Sequence, residues 1–260
     1  MKPKVAVVKN TGCAGCQMEF LRLVDEYALH VIGTVDITYF VMGKRENSEG
    51  PWDVTFIEGS ISTPRELNEL KDFRTKTKTL VALGDCASTG CIPSILNWTP
   101  PNVSRQVYQD FQAIHSKKES FQRIFPLHEY VPVDVHLRGC PPHKDTMLTV
   151  IQAAIMDVKP YLRQHPVCVE CKLKENVCIL VSEKRSCMGP VTNAGCGAIC
   201  PTVNRVCEGC YGPMSDANAS SLAKTFREDC ELSDDEIVRK FRKYAGATPA
   251  FAKEAGPRYE

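Results

Sequence analysis

Short unbroken apolar runs alternate with apolar stripes at helical spacing from residue 4 to about residue 158. Val5 to Val8 has no polar interruption, as in a strand buried on both faces, and Gly12 breaks the run before Cys13 and Cys16. Met18, Leu21, Val24 and Ala28 then recur at helical spacing. Further strands are predicted at Val35 to Val41, Val54 to Ile57, Leu80 to Leu83 and Val131 to Leu137. Between the third and fourth, Thr63 opens a helix that runs to about Phe73, with Pro64 in its first turn and Glu66 placed to close a capping box. After the last strand, Met147, Leu148, Ile151, Ala154, Ile155 and Val158 form a strong helical stripe. Residues 87 to 130 do not fit this rhythm, because Pro93, Pro100 and Pro101 leave room for at most one or two helices around Val103 to Phe125. Alternation of strand and helix predicts a parallel α/β sheet with right-handed crossovers.

The pattern changes near Pro160 to Pro166. From Cys168 to Cys210 eight residues are cysteine, and many of the others are Gly, Pro, Asn or small polar residues, so no apolar periodicity is available to build a core. Helix-like sequence returns after residue 215, where Ser233 and Glu236 form a second capping box ahead of Ile237, Val238, Phe241 and Tyr244. Ala245 to Glu260 reads as an extended tail. The expected organisation is a sheet domain over 1–160, a small irregular cysteine-rich domain over 161–214 and a helical tail over 215–260.

Composition narrows the function. With 260 residues and 43% hydrophobic content the chain can bury a core, and 32 Lys plus Arg against 31 Asp plus Glu give a net charge of +1, which implies no pull toward nucleic acid or an acidic membrane. The N-terminal apolar run is too short for a signal peptide, and no stretch approaches the ~18 apolar residues of a spanning helix, so a cytoplasmic location is expected. Fourteen cysteines in a chain of this size then call for metal or redox chemistry rather than disulfides.

Cys13, Cys16, Cys86 and Cys140 are distant in sequence, yet each falls just after the carboxyl end of a predicted strand, the edge at which open α/β sheets bind ligands. Gly12, Gly15, Gly84 and Gly139 flank them, and glycine lets backbone amides approach a cluster and hydrogen-bond its sulfurs. A four-cysteine structural zinc, or four core thiols, is the alternative, although zinc usually sits between two compact CxxC knuckles. In the later segment Cys168 and Cys171, Cys178, Cys187, Cys196, Cys200-Pro201, and Cys207 and Cys210 make two sets of four. Cys196-xxx-Cys200-Pro201 repeats the close of a ferredoxin ligand run, and two zinc ions remain the other reading of this spacing.

The resemblance becomes specific when these motifs are taken together. Cys13-Ala14-Gly15-Cys16, Gly84-Asp85-Cys86, Gly139-Cys140-Pro141-Pro142, Pro166-Val167-Cys168-Val169-Glu170-Cys171-Lys172 and Cys187-Met188-Gly189-Pro190-Val191-Thr192-Asn193-Ala194-Gly195-Cys196-Gly197 occur in one order. Over residues 4 to about 214 the chain resembles the small subunit of nickel-iron hydrogenases, and within them the cytoplasmic sulfhydrogenase delta-subunit branch. The resemblance implies a flavodoxin-like sheet domain, a small irregular iron–sulfur domain and a helical C-terminal tail. It implies three 4Fe-4S clusters: a proximal one on Cys13, Cys16, Cys86 and Cys140, a distal one on Cys168, Cys171, Cys178 and Cys187, and a medial one on Cys196, Cys200, Cys207 and Cys210. Two departures from respiratory members matter: Cys168 stands where many have histidine, and Cys200 can complete a medial cubane where they have 3Fe-4S. Both add thiolate charge and should lower the reduction potential.

The same resemblance places the nickel-iron site in a separate large subunit, leaving this chain to carry electrons. A further iron–sulfur or flavin subunit using NAD(P) or another acceptor is the expected second partner. The rival functions are a zinc-stabilised scaffold and a quinone-reductase-type cluster subunit, the latter having only the proximal-type site. Cys91 reads as a buried unligated thiol or a reactive neighbour of the proximal set, and Cys230 as structural. His165 is a spare ligand for a site already supplied with four thiols. Glu58 and Asp85, at the same sheet edge, are read as groups that orient a ligand loop, relay protons or cap a helix.

Overall fold

The computed structural model describes residues 2–27, 33–100 and 123–258. Its first half is a five-stranded parallel sheet of order β2-β1-β3-β4-β5, built from β1 (Lys4–Lys9), β2 (Asp36–Phe40), β3 (Trp52–Glu58), β4 (Thr77–Leu83) and β5 (Val135–Leu137). Side chains alternate across the strands and divide the core in two. Val5, Val7, Val54, Phe56, Val81 and Leu83 face a layer containing Phe20, Leu23, Met147 and Ile151, which belong to α1 (Gly15–Glu26) and α4 (Lys144–Ile155). Ala6, Val8, Ile57, Leu80 and Ala82 face Leu70 and Phe73 of α2 (Pro64–Lys76) on the other side. Helix α2 begins as its sequence predicts: the Thr63 hydroxyl accepts from Glu66 N at 3.1 Å and Glu66 Oε2 accepts from Thr63 N at 3.1 Å. Helix α3 (Gly84–Thr89) follows β4 directly and is buried throughout.

The fifth strand is shorter than the expected Val131 to Leu137. Pro132 has no amide to donate, and Asp134 caps the pairing instead, its carboxylate accepting from Leu80 N at 2.7 Å and from Arg74 at 2.5 Å. Upstream, Pro93–Trp98 and Leu127–Glu129 form 3-10 turns. The helices expected around Val103 to Phe125 fall largely outside the described residues.

The cysteine-rich segment consists of short helices, α5 (Val167–Leu173), α6 (Ile179–Ser182) and α7 (Ile199–Thr202), joined by loops. Two longer ones follow, α8 (Ala219–Glu228) and α9 (Asp234–Ala245), and then α10 (Pro249–Ala255), as short as α5. The segment is not without a core. Val167, Met188, Val191 and Ala198 pack in one apolar cluster with Leu222, Phe226, Ile237, Phe241 and Phe251. Residues 249–255 are therefore a docked helix where an extended tail is expected from sequence, and Phe251 and Ala255, one turn apart, are both buried. No helix among the described residues is long and apolar enough to cross a membrane.

Candidate metal centres

Parallel strands deliver the first four cysteines to one edge. Cys13 and Cys16 lie on the loop leaving β1 and the first turn of α1, Cys86 lies in α3 beyond β4, and Cys140 follows β5. The four are electrostatic neighbours: burial, then Glu58, Cys86, Cys140 and Cys13, push the Cys16 thiol far above its ordinary value. Two glycines permit this approach. Gly84 has φ +83°, and a Cβ there would strike Cys16 Sγ; Gly139 has φ +129° and packs against Pro142. Asp85 N donates to Gly139 O at 2.9 Å, tying the Cys86 loop to the Cys140 loop.

Glu58 shows what a buried carboxylate does at this edge. Its Oε2 accepts from Gln17 N at 3.1 Å, and the amides of Cys16 and Ala14 also bond the carboxylate, partly offsetting the burial that raises its pKa. It thus orients the Cys13–Cys16 loop, the first of the roles expected of it. Asp85 differs: both carboxylate oxygens are buried without a hydrogen-bond partner. Burial lifts it to about 8 against the pull of Arg138.

The later thiols gather as two more groups. Burial and then Cys187, Cys171 and Cys178 raise Cys168 to about 11, so these four are mutual neighbours. A Cβ on Gly189 would lie 3.4 Å from Cys168 Sγ and 3.5 Å from Cys187 Sγ. Cys210 is raised to about 12 by burial and then by Asp85, Cys196, Cys140 and Cys200. Cys207 is raised by burial, with Gly209 N opposing and Cys187 and Cys210 close by. The groups follow one another across the molecule: Cys140 of the first neighbours Cys210, and Cys207 N donates to Cys187 Sγ at 3.2 Å. All fourteen cysteines are free thiols.

Whether such groups suit iron–sulfur clusters is decided by their surroundings. Several thiolates packed together out of water repel one another, and bound cations relieve that repulsion. Backbone amides point at the sulfurs, from Gly15 to Cys13 at 3.4 Å, from Cys207 and Gly189 to Cys187, and from Ala198 and Ile199 to Cys196. Such N–H···S bonds accompany cluster ligation. No three His, Cys, Asp or Glu side chains among the described residues are gathered as ligands of a single ion would be.

Relatives bear on the same chemistry. The profile of the family described as NADH ubiquinone oxidoreductase, 20 Kd subunit, matches residues 13–154. That span ends before the cysteine-rich segment. Sulfhydrogenase 2 subunit delta of Pyrococcus furiosus is 32% identical over 255 residues, which cover 93% of this chain and 99% of the relative. The chain belongs to the hydrogenase small-subunit family. An iron-sulfur subunit of the F420-non-reducing hydrogenase of Archaeoglobus profundus is 28% identical and matches 80% of this chain and 82% of its own length. Among solved structures, a chain of an NAD+-reducing [NiFe]-hydrogenase in the H2-reduced state matches with TM-score 0.54 and 26% identity, covering 62% of this chain and 96% of that one.

The sequence marks Cys91 as a buried unligated thiol or a reactive neighbour of the proximal set, but it does not single out Glu170 or Ser60 in this small subunit. Cys91, fully buried with φ 42°, faces Cys140 and Cys86, and its contact brings the Cys140 thiol down to about 7 against burial. Glu170, between Cys168 and Cys171, accepts from Gly195 N at 3.1 Å and Gly197 N at 2.9 Å and pairs with Arg163. It thereby holds both sides of Cys196 from the neighbouring group. The Val-Cys-Val-Glu-Cys spacing shows a carboxylate beside ligands, but not the distant amides it meets. Ser60 donates to the carbonyls of Cys86 and Gly90 at 2.8 and 3.1 Å. His165 lies beside Pro166, with Nδ1 at 3.2 Å from the Pro166 carbonyl.

Proposed function

We propose that this small subunit holds three 4Fe-4S clusters and relays electrons between a nickel-iron large subunit and a further redox subunit. The observation that carries the reading is the row of three thiol groups, in which Cys140 lies within electrostatic range of Cys210 and Cys207 N donates to Cys187 Sγ. Cys13, Cys16, Cys86 and Cys140 would hold the proximal cluster, Cys196, Cys200, Cys207 and Cys210 the medial one, and Cys168, Cys171, Cys178 and Cys187 the distal one. When bound, the clusters supply reversible one-electron exchange.

The chain's own part is to set order and environment. Glu58 fixes the loop of the first ligands, and Glu170 ties the medial loop to the distal helix. Arg138 and the buried Asp85 stand between the proximal and medial groups. Cys13, the one exposed cysteine of the twelve, and exposed Met18 in the first turn of α1 suit a large subunit that covers the proximal group and excludes water. The cytoplasm is the setting we assign, on the chemistry of fourteen free thiols.

Zinc scaffolding is the competing function, and the absence of single-ion ligand geometry among the described residues weighs against it. Anaerobic purification tests the choice. The relay requires about twelve iron and twelve labile sulfide per chain, with no 3Fe-4S resonance in the oxidised protein because Cys200 completes the medial set. Zinc in a colourless protein would overturn the cluster reading. A strong 3Fe-4S signal from anaerobic material would remove Cys200 from the medial ligands.

A further inference from the structure

Between the proximal and medial thiols the chain buries negative groups and leaves one of them without a partner. Asp85 is 1% exposed, neither of its carboxylate oxygens is hydrogen-bonded, and Cys140 and Cys210 are both its electrostatic neighbours. Glu58, equally buried, acts on Cys140 and Cys16. Ligation converts each thiol to a thiolate, so charge of one sign accumulates around this spot. Burying such charge uncompensated is costly.

Arg138 is the cation placed there. It stands two residues before Cys140, and its Nη1 donates to the carbonyl of Pro213, three residues beyond Cys210, so the side chain reaches from one ligand loop to the other. Gly212 leaves the room for this: its φ is +64°, and a Cβ there would stand 3.2 Å from Arg138 Nη1 and 3.4 Å from Asp85 Oδ1. The guanidinium and the carboxylate therefore approach the same point without bonding, and Arg138 is not consumed by an ion pair with Asp85. Arg138 is half-buried, which leaves its charge less screened than one at the surface. Nor can a guanidinium lose its proton in a protein. The distal thiols have a different cation, Lys172, which acts on Cys168.

We infer that Arg138 is the counter-charge shared by the proximal and medial clusters and holds both reduction potentials above the values that thiolate ligands and buried carboxylates alone would set. Each cluster takes up one electron with no bond made or broken, and a fixed positive charge beside it stabilises the form that holds the electron. Added cysteine ligands lower the potential; Arg138 works in the opposite sense, on two clusters of the three. This role rests on the relay function proposed above and names a residue that tunes it.

The test is a redox titration of the purified hydrogenase complex, with each cluster followed by electron paramagnetic resonance. Arg138→Gln should make reduction of the proximal and medial clusters at least about tenfold less favourable, a fall of about 59 mV for one electron, and leave the distal potential in place. Arg138→Lys keeps the charge and should keep both potentials. Lys76→Gln removes an equal charge where α2 passes into β4, at the opposite edge of the sheet, and should move nothing. Wild-type potentials in Arg138→Gln, or an equal fall at all three clusters, would overturn the assignment. So would an equal fall in Arg138→Lys, which would make the bond to Pro213 the active part and not the charge. Should Arg138→Gln assemble with less than its full iron, Arg138→Lys decides: full iron and wild-type potentials uphold the counter-charge, and iron loss in both variants reduces Arg138 to a tie between loops. Iron and sulfide content of the wild-type complex separates this role from the relay. Three titrating 4Fe-4S clusters there leave the relay standing whatever Arg138 does, and fewer than three count against the relay itself.

Discussion

The sheet and the cysteine-rich segment place the same chemical group in opposite structural settings. Around the sheet, the cysteines sit on or just after loops, and only Cys16 of the first four joins a layered core carried mainly by aliphatic and aromatic contacts: Phe20 meets Phe56 at 5.5 Å and Phe40 at 5.9 Å, and strands β1, β3 and β4 are buried on both faces. In the later segment the cysteines are themselves part of the wall of the core. Cys171, Cys187 and Cys207 belong to the same apolar cluster as Phe226 and Phe241. A metal site grafted on a fold can be emptied with little structural loss, whereas one built into a fold takes its surroundings with it.

The largest expected effect follows from that contrast. Removing iron from the holoprotein by mild chelation should raise hydrogen exchange steeply across residues 168–210 and leave β1, β3 and β4 protected. The C-terminal helices should respond in an intermediate way. They hold their own aromatic contacts and are tied back to the first half, Trp98 Nε1 donating to Gly256 O at 3.1 Å and Thr89 Oγ1 to Tyr244 O at 3.3 Å. Equal loss of protection in sheet and cysteine segment would show that the first half also depends on its ligands.

A core truncation sharpens the comparison from the other side. Phe241 is fully buried between Phe226 and Phe251, its ring 5.2 Å from that of Phe251 in an edge contact. Phe241→Ala should cost about 3–5 kcal/mol. Since the cavity opens where α8–α10 meet the cysteine segment, thermal unfolding of the holoprotein should show loss confined to that half. A uniform shift of both halves would make the molecule one cooperative unit.

How much of this was legible in the sequence differs between the two regions for a physical reason. Strands buried on both faces leave continuous apolar runs, so β1, β3 and β4 stand out and bring Cys13, Cys16, Cys86 and Cys140 to one edge. The second core is assembled from single residues such as Val167, Met188 and Val191, separated by cysteines and glycines, and completed by helices tens of residues later. No local period records such packing. Thr248-Pro249 and the Phe251 to Ala255 spacing do announce α10, but a short helix beside a charged terminus is easily read as tail. Contacts such as Glu170 to Gly195 and Gly197 depend on tertiary placement and leave no mark in spacing.

Glu170 offers a smaller and more local test. Its buried carboxylate joins the helix bearing Cys168 and Cys171 to the loop bearing Cys196 through two amides, and it pairs with Arg163, whose side chain is half exposed. Glu170→Gln keeps the shape but removes the charge, and bonds to an ionised group contribute roughly 1.5–3 kcal/mol. The screened Arg163 puts the expected loss near ~2 kcal/mol. Hydrogen exchange at Gly195 and Gly197 should quicken while the Cys13–Cys16 loop, held by Glu58, is unchanged. Unaltered exchange at those glycines would deny Glu170 its bridging role.

An effect of comparable size belongs to the sheet and is a matter of pH. His136 on β5 is pushed down to about 4 by burial, then by His128 and Arg138, its ring 5.5 Å from that of His128. Unfolded, it titrates near ~6.5. Above that pH both states hold the ring neutral and no proton linkage arises. Between about 6.5 and 4 the unfolded chain binds the extra proton, so stability falls with falling pH, and below about 4 the native ring charges too and the loss levels off. The full shift corresponds to about 3 kcal/mol, reduced toward about 2 by the ring's partial exposure. His136→Gln removes the titrating group, so the difference in unfolding free energy between the two proteins should change across that window and remain flat above about pH 7. Because other groups titrate identically in both, the difference isolates one ring. A constant difference from about pH 7 to about pH 4 would mean that His136 is as freely protonated in the sheet as in water, and that the β5 edge is wetter than its packing implies.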